Sequence, residues 1–178
     1  MWWLIMLAAL AAFLFYVSRK PDSFKIEREV LIKASPEQVY PHINSLAAHR
    51  AWSIWERLDP NMKRELSGPE AGAGAFYGWE GNKEVGKGNM TILESTFPSN
   101  VKIRIEFFVP MRAVNEVQYV LSRDGEHTRV VHWMSGPAPF VHKLMSTVVN
   151  IDKMVGARFE DSLNNLKALI ETPAAAPD

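Results

Sequence analysis

Between residues 60 and 134 the chain alternates apolar and polar side chains with a regularity that few structures satisfy. The clearest run is 101–107, where Val101, Ile103, Ile105 and Phe107 share one side and Lys102, Arg104 and Glu106 the other. A second run repeats it, with Val117, Tyr119 and Leu121 set against Glu116 and Gln118. A period of two is that of a strand with one half-buried face. Asp124-Gly125 then supplies a hairpin turn. Six segments of this kind follow one another: "KRELSG", "GAFYGWE", "GKGNMTILEST", "NVKIRIEFF", "AVNEVQYVLS" and "HTRVVHWM". They predict an antiparallel meander with one solvated face. Its other face is apolar and has to be covered.

The cover is written on either side of the meander. After Pro139 the period becomes helical. Leu144, Val148, Ile151, Val155, Phe159, Leu163, Leu166 and Ile170 recur at steps of three and four over about seven turns, with Lys153, Arg158, Asp161 and Lys167 off the stripe. Ahead of the meander, Phe24, Ile26, Val30 and Ile32 predict one more strand in "FKIEREVLIK". Ser35, Pro36 and Gln38 then form a helix start with a capping box. Pro41 limits that helix, so "PEQVYPHIN" and "SLAAHRAW" read as two short helices. The fold class is α+β, and the apolar faces of sheet and long helix must cover each other. A strongly curved sheet gripping a helix leaves space between them, lined by side chains of both.

Residues 1–17 carry no charge and are followed at once by "SRK" and Pro21. As a helix they would be about 25 Å long, at the short end of what crosses a bilayer. No lysine or arginine precedes the run, and "YVSRKP" is a poor cleavage site, which argues against a removable signal. The expectation is a transmembrane anchor over residues 1–20, with Trp2 and Trp3 at one interface and Arg19 and Lys20 at the other. The two cations place the remainder on the cytoplasmic side of the cell membrane, in a single-pass topology. The remaining chain, about 150 residues, suits one domain over 21–171, with 172–178 as a disordered tail.

Several function classes are disfavoured. Twenty basic and twenty acidic residues leave no net field for nucleic acid. With no cysteine there are no disulfides, thiolate nucleophiles or cysteine-based metal sites. The histidines are at 42, 49, 127, 132 and 142, and none stands at metal-ligand spacing; His127 and His132 fall on opposite faces of one strand. Neither a metal nor a cofactor is expected. Seven of the ten glycines fall in 68–88, but "AFYGWE" after Gly74 is strand-like, and no Gly-Lys-Ser/Thr follows. A phosphate loop needs a helix there, so these glycines read as turns and bends of a curved sheet. No Gly-x-Ser-x-Gly elbow is present.

Three stretches, "ASPEQVYPHINSLAAHRAWSIWERLDP", "GPEAGAGAFYGWEGNKEVGKGNMTI" and "DKMVGARFEDSLNNLKALIE", resemble the START-like SRPBCC superfamily in its polyketide cyclase/dehydrase-type branch. The likeness runs in order over residues 24–171. It implies a helix-grip fold, a curved antiparallel sheet wrapped around the long C-terminal helix, with a deep and mainly apolar cavity. Members bind lipids, sterols, polyketides or other hydrophobic ligands, and some cyclise, dehydrate or hydrolyse them.

Within such a cavity the candidate lining is Trp55, Trp79, Phe107, Asn115, Tyr119, His132, Met134, Met154 and Arg158. Each has an ordinary alternative, core packing for the aromatic and methionine side chains and backbone bonding for Asn115. Trp52, Trp133, Met90 and Met145 are open to the same two readings. Glu56, Glu80, Glu94 and Arg158 are the groups that acid–base chemistry could use, or else surface charges, and none is assigned as catalytic. The expected function is binding of a hydrophobic small molecule or lipid by a membrane-anchored protein. The alternatives are a cyclase, dehydratase or hydrolase working in the same cavity, and an interaction module whose groove takes a partner segment.

Overall fold

The computed structural model describes residues 2–172. Helix α1 (Trp2–Ser18) is followed by β1 (Ser23–Ile32), α2 (Pro36–Asn44), a 3-10 turn (Ala48–Ala51) and α3 (Ile54–Leu58). Six strands come next: β2 (Lys63–Ser67), β3 (Phe76–Glu80), β4 (Lys87–Thr96), β5 (Asn100–Val109), β6 (Ala113–Asp124) and β7 (His127–Pro137). The chain then runs through α4 (Phe140–Val148) and α5 (Ile151–Glu171).

All seven strands form one antiparallel sheet in the order β1-β7-β6-β5-β4-β3-β2. The meander folds back on itself hairpin by hairpin, and β1 closes it by pairing with β7 along its whole length. Alternation decides the faces as the sequence predicts. Ile103 of β5, Val117, Tyr119 and Leu121 of β6, and Val130 and Met134 of β7 are buried on the face that α5 covers through Phe159, Leu163 and Leu166. Gln38 accepts the Ser35 backbone N–H at 2.9 Å, and α2 runs on through Pro41 to Asn44.

Two differences from the expected elements matter for the site. The apolar stripe from Leu144 to Ile170 is not one helix, because the chain turns extended at Val149. Asn150 then caps a new helix by accepting the Lys153 N–H at 2.9 Å. The second is α3, which sequence periodicity does not show; its first N–H, from Ile54, donates to Ser162 of α5 at 3.0 Å.

The amino terminus corrects an expectation. Helix α1 is 17 residues long, and among the described residues no helix is long and apolar enough to cross a membrane. Ser18, Arg19, Lys20 and Pro21 end the helix at about 25 Å, short of a hydrocarbon core of about 30 Å. The single-pass topology with Trp2 and Trp3 at one interface and Arg19 and Lys20 at the other falls with it, as does the cytoplasmic placement drawn from those charges. The end of α1 is fixed instead to α4. Lys143 donates to Asp22 at 2.6 Å, and Lys20 to Ser146 at 3.3 Å. Of the expected tail, 173–178 lie outside the described residues.

Candidate functional site

Sheet and α5 do not close completely. A cavity of about 300 Å³ remains between the concave face of β3–β7, helix α3 and the first half of α5. Period two delivers Tyr77 and Trp79 from β3, Ile105 and Phe107 from β5, Val117 and Tyr119 from β6, and His132 and Met134 from β7. Steps of four and three on α5 bring Val155, Phe159 and Ser162 to the opposite wall. Trp52, Trp55 and Glu56 come from the segment of α3.

Trp79 shows how a glycine shapes this wall. A Cβ on Gly88 would come within 2.6 Å of the indole, so only glycine on the paired strand lets the ring lie down over β4. The indole donates to the Val85 carbonyl at 2.9 Å and meets Phe107 edge-on at 5.9 Å between ring centres.

Polar groups are few, and they converge. His132 lies between Tyr119 and Phe159, with ring centres at 4.3 and 4.1 Å. Its Nδ1 is buried and has no hydrogen-bond partner among the described residues. Burial, with a smaller push from His49, drives its pKa down to about 3, so the ring is neutral. His49 is also buried, its pKa held at about 4 mainly by loss of solvation, and its Nε2 donates to the Ile43 carbonyl at 2.8 Å. Burial alone raises the Tyr119 hydroxyl above its usual pKa.

Nearby, Glu56 is a largely buried carboxylate, its side chain 10 % exposed. Arg64 of β2 donates to it at 2.8 Å, and the Tyr77 hydroxyl donates to its other oxygen. Burial first, and then the carboxylate, raise the Tyr77 pKa. The three groups form a closed set: a compensated charge with a neutral phenol.

The family described as polyketide cyclase/dehydrase and lipid transport matches residues 23–171. The chain belongs to that family. Its fold recurs in solved structures at low identity. The Aha1 dimer from Colwellia psychrerythraea is 17 % identical with a TM-score of 0.61, over 85 % of this chain and 99 % of that one. DynU16, a putative protein of the dynemicin biosynthetic locus, is 15 % identical with a TM-score of 0.60, over 86 % and 48 %. The di-domain ARO/CYC BexL of the BE-7585A biosynthetic pathway is 12 % identical with a TM-score of 0.61, over 94 % and 56 %. At such identities these likenesses establish the fold. No curated protein matches the chain.

Within this family fold, Trp55, Trp79, Phe107, Tyr119, His132 and Met134 stand around the cavity, with Trp52 and Met90. Three other candidates stand elsewhere. Met154 and Arg158 each precede a cavity residue on α5 by one step, and about 100° of helical rotation turns them away. Asn115 is on the concave face, but its amide lies over Gly136 and against the Met134 sulfur at 3.7 Å.

Glu80 pairs with Lys87 at 3.0 Å on the surface, and Glu94 faces Lys102 at 3.9 Å. Glu94 is out of phase because a bulge between Ile92 and Glu94 inserts one residue and reverses the alternation. Trp133 is on the outer face beneath Lys25, and Met145 is exposed. Among the described residues no group of three metal-ligating side chains converges.

Sequence reasoning did not assign His49, Tyr77 or Ser162 to the site. Tyr77 carried a readable signal, being two residues before Trp79 in the same strand. His49, in a 3-10 turn, and Ser162, between apolar stripe residues, carried none.

Proposed function

We propose that the chain binds an apolar small molecule, single-chain lipids included, in the cavity between the sheet and α5. The observation that carries the reading is the cavity itself. About 300 Å³ walled by aromatic and aliphatic side chains, with a few convergent polar groups, is the usual constitution of a small-molecule site. Its volume is at the lower end of such sites, which favours one ring system or one short chain. An interaction module would instead need a filled interior.

Native mass spectrometry of the intact chain, purified from cells, tests the reading. A bound molecule, or uptake of one from a cell lipid extract, is the expected result. Protein that stays empty in both conditions would reject it.

One observation favours a second reading, cyclase, dehydratase or hydrolase chemistry in the same cavity. Glu56 is a largely buried carboxylate at the cavity wall, and the neutral histidines His49 and His132 line the same cavity. Binding remains the better reading, because Arg64 and Tyr77 already engage both oxygens of Glu56. A free base would have to be released from them before it could accept a proton. Turnover of a bound molecule that Glu56→Gln abolishes, with binding retained, would establish the second reading.

A further inference from the structure

We infer that the cavity selects an uncharged ligand with a hydroxyl or carbonyl oxygen, received by His132, and turns away the corresponding carboxylate. This rests on the reading of the cavity as a ligand site and adds the class of molecule that enters it.

His132 is 5 % exposed, lines the cavity and has a buried Nδ1 with no hydrogen-bond partner among the described residues. Buried polar atoms are nearly always paired. Nδ1 itself touches no open space, so the ligand is met at the Nε2 side of the ring, or at Nδ1 once the ring turns over. The Nε2 side is not enclosed and likewise has no hydrogen bond among the described residues. Tyr119 and Phe159 cover the two faces of the ring, which leaves its edge as the only polar approach. A neutral imidazole presents one donor and one acceptor. A half-turn about Cβ–Cγ exchanges Nδ1 with a ring carbon and keeps the same flat packing. A hydroxyl can meet either nitrogen, and a carbonyl the protonated one.

Charge decides what cannot enter. Among the described residues, the charged ones along the wall are Glu56 and the rim residue Glu84, with no lysine or arginine in the lining. The nearby cations are committed elsewhere. Arg64 holds Glu56 at 2.8 Å, and Arg28, opposite His132 on β1, holds Glu160 at 2.6 Å and Asp152 at 3.1 Å. The groups that face His132 inside the cavity are Tyr119 and His49; the first is a neutral phenol and the second gives its Nε2 proton to Ile43. An incoming carboxylate would lose its water and find only neutral groups and other carboxylates. A cation would find Glu56 already compensated.

Calorimetric titration of the intact protein at pH 7.5 with 1-decanol, 2-decanone, decanoate and butylbenzene tests this, repeated on His132→Leu. The alcohol and ketone should bind at least about tenfold more tightly than decanoate. His132→Leu should weaken the alcohol and ketone about tenfold relative to butylbenzene, whose uptake by the same variant reports that the cavity still holds an apolar molecule. Decanoate binding as tightly as decanol overturns the inference, and so does His132→Leu that keeps the preference; the reading of the cavity as a ligand site survives both. Failure of all four probes also overturns the inference. If the native mass spectrum is then empty as well, the ligand-site reading falls with it.

Discussion

Glu56 sits where a carboxylate is expensive, and two neighbours make it tolerable. Its side chain is 10 % exposed and that of Arg64 18 %, so neither keeps much of its hydration. Removing one partner of such a pair leaves the other charge uncompensated. Arg64→Met is expected to cost about 3 kcal/mol in urea unfolding, and Tyr77→Phe, which removes one hydrogen bond to a charge, about 2 kcal/mol. Replacing both ends, Glu56→Leu with Arg64→Met, should recover most of the Arg64→Met loss. If the double substitution is as unstable as the single, burial of the charge is not the cause. At this scale the sequence is legible wherever one periodicity runs undisturbed. Trp79, Phe107, Tyr119, His132 and Met134 reach the cavity because every second strand residue does. Glu94 does not, because a bulge at Leu93 moves it to the other face, and alternation gives no warning of a bulge. Met154 and Arg158 miss by a single helical step, which is finer than an apolar stripe can resolve.

The elements themselves are more legible than their joints. The seven strands stand where alternation puts them, since a period of two persists over whole strands. The break between α4 and α5 is hidden because the apolar steps of three and four continue across Val149 and Asn150. The readable sign was local: an asparagine able to cap, followed by Asp152 in the next first turn. Asn150→Ala should therefore cost about 1 kcal/mol. A second joint fixes α5 to the sheet edge. The Arg28 guanidinium lies across Gly156, where a Cβ would come within 2.0 Å of Nη2, and reaches Asp152 and Glu160 on either side. Two effects compete in Gly156→Ala. Helix propensity favours alanine by about 1 kcal/mol, whereas displacing a packed group costs about 1–3 kcal/mol. The clash is expected to prevail, with a net loss of about 1 kcal/mol. In an Arg28→Leu background the same substitution should become stabilising by about 1 kcal/mol, since only the propensity remains. A double-mutant cycle by urea unfolding reads that reversal of sign.

Taken whole, the molecule is a curved sheet that closes around a helix and encloses space, and burial keeps the histidines it encloses neutral. Resemblance to a family foretold a cavity; it did not foretell that two histidines would be neutral in its wall, because that follows from burial of residues on distant elements. His49 and His132 have pKa values of about 4 and about 3 in the folded chain, against about 6.5 for an exposed histidine. Between these limits the unfolded chain binds more protons than the folded one, so stability rises with pH. The stabilisation is fully present above pH 6.5 and is lost as pH falls from there toward 4 and below. The carboxyls of Asp22, Glu37 and Glu80, held down by Lys143, by local hydrogen bonds and by Lys87, act in the same direction but below the usual carboxylate range. The interval between pH 6.5 and about 5 therefore belongs to the histidines. Unfolding free energy is expected to fall across it by roughly 1–4 kcal/mol, since each buried histidine contributes up to 1.36 kcal/mol per pH unit. His132→Leu should remove its share of that slope, with His49 and His142, also lowered by burial, supplying the rest. A ligand bound at His132 should add stability equally at each pH, because a ring with a pKa of about 3 is already neutral across the interval. Urea unfolding at pH 7.5, 6.0 and 5.0 on the intact chain and on His132→Leu measures both slopes. Equal slopes in the two proteins would mean that His132 is solvated and titrates normally in the fold.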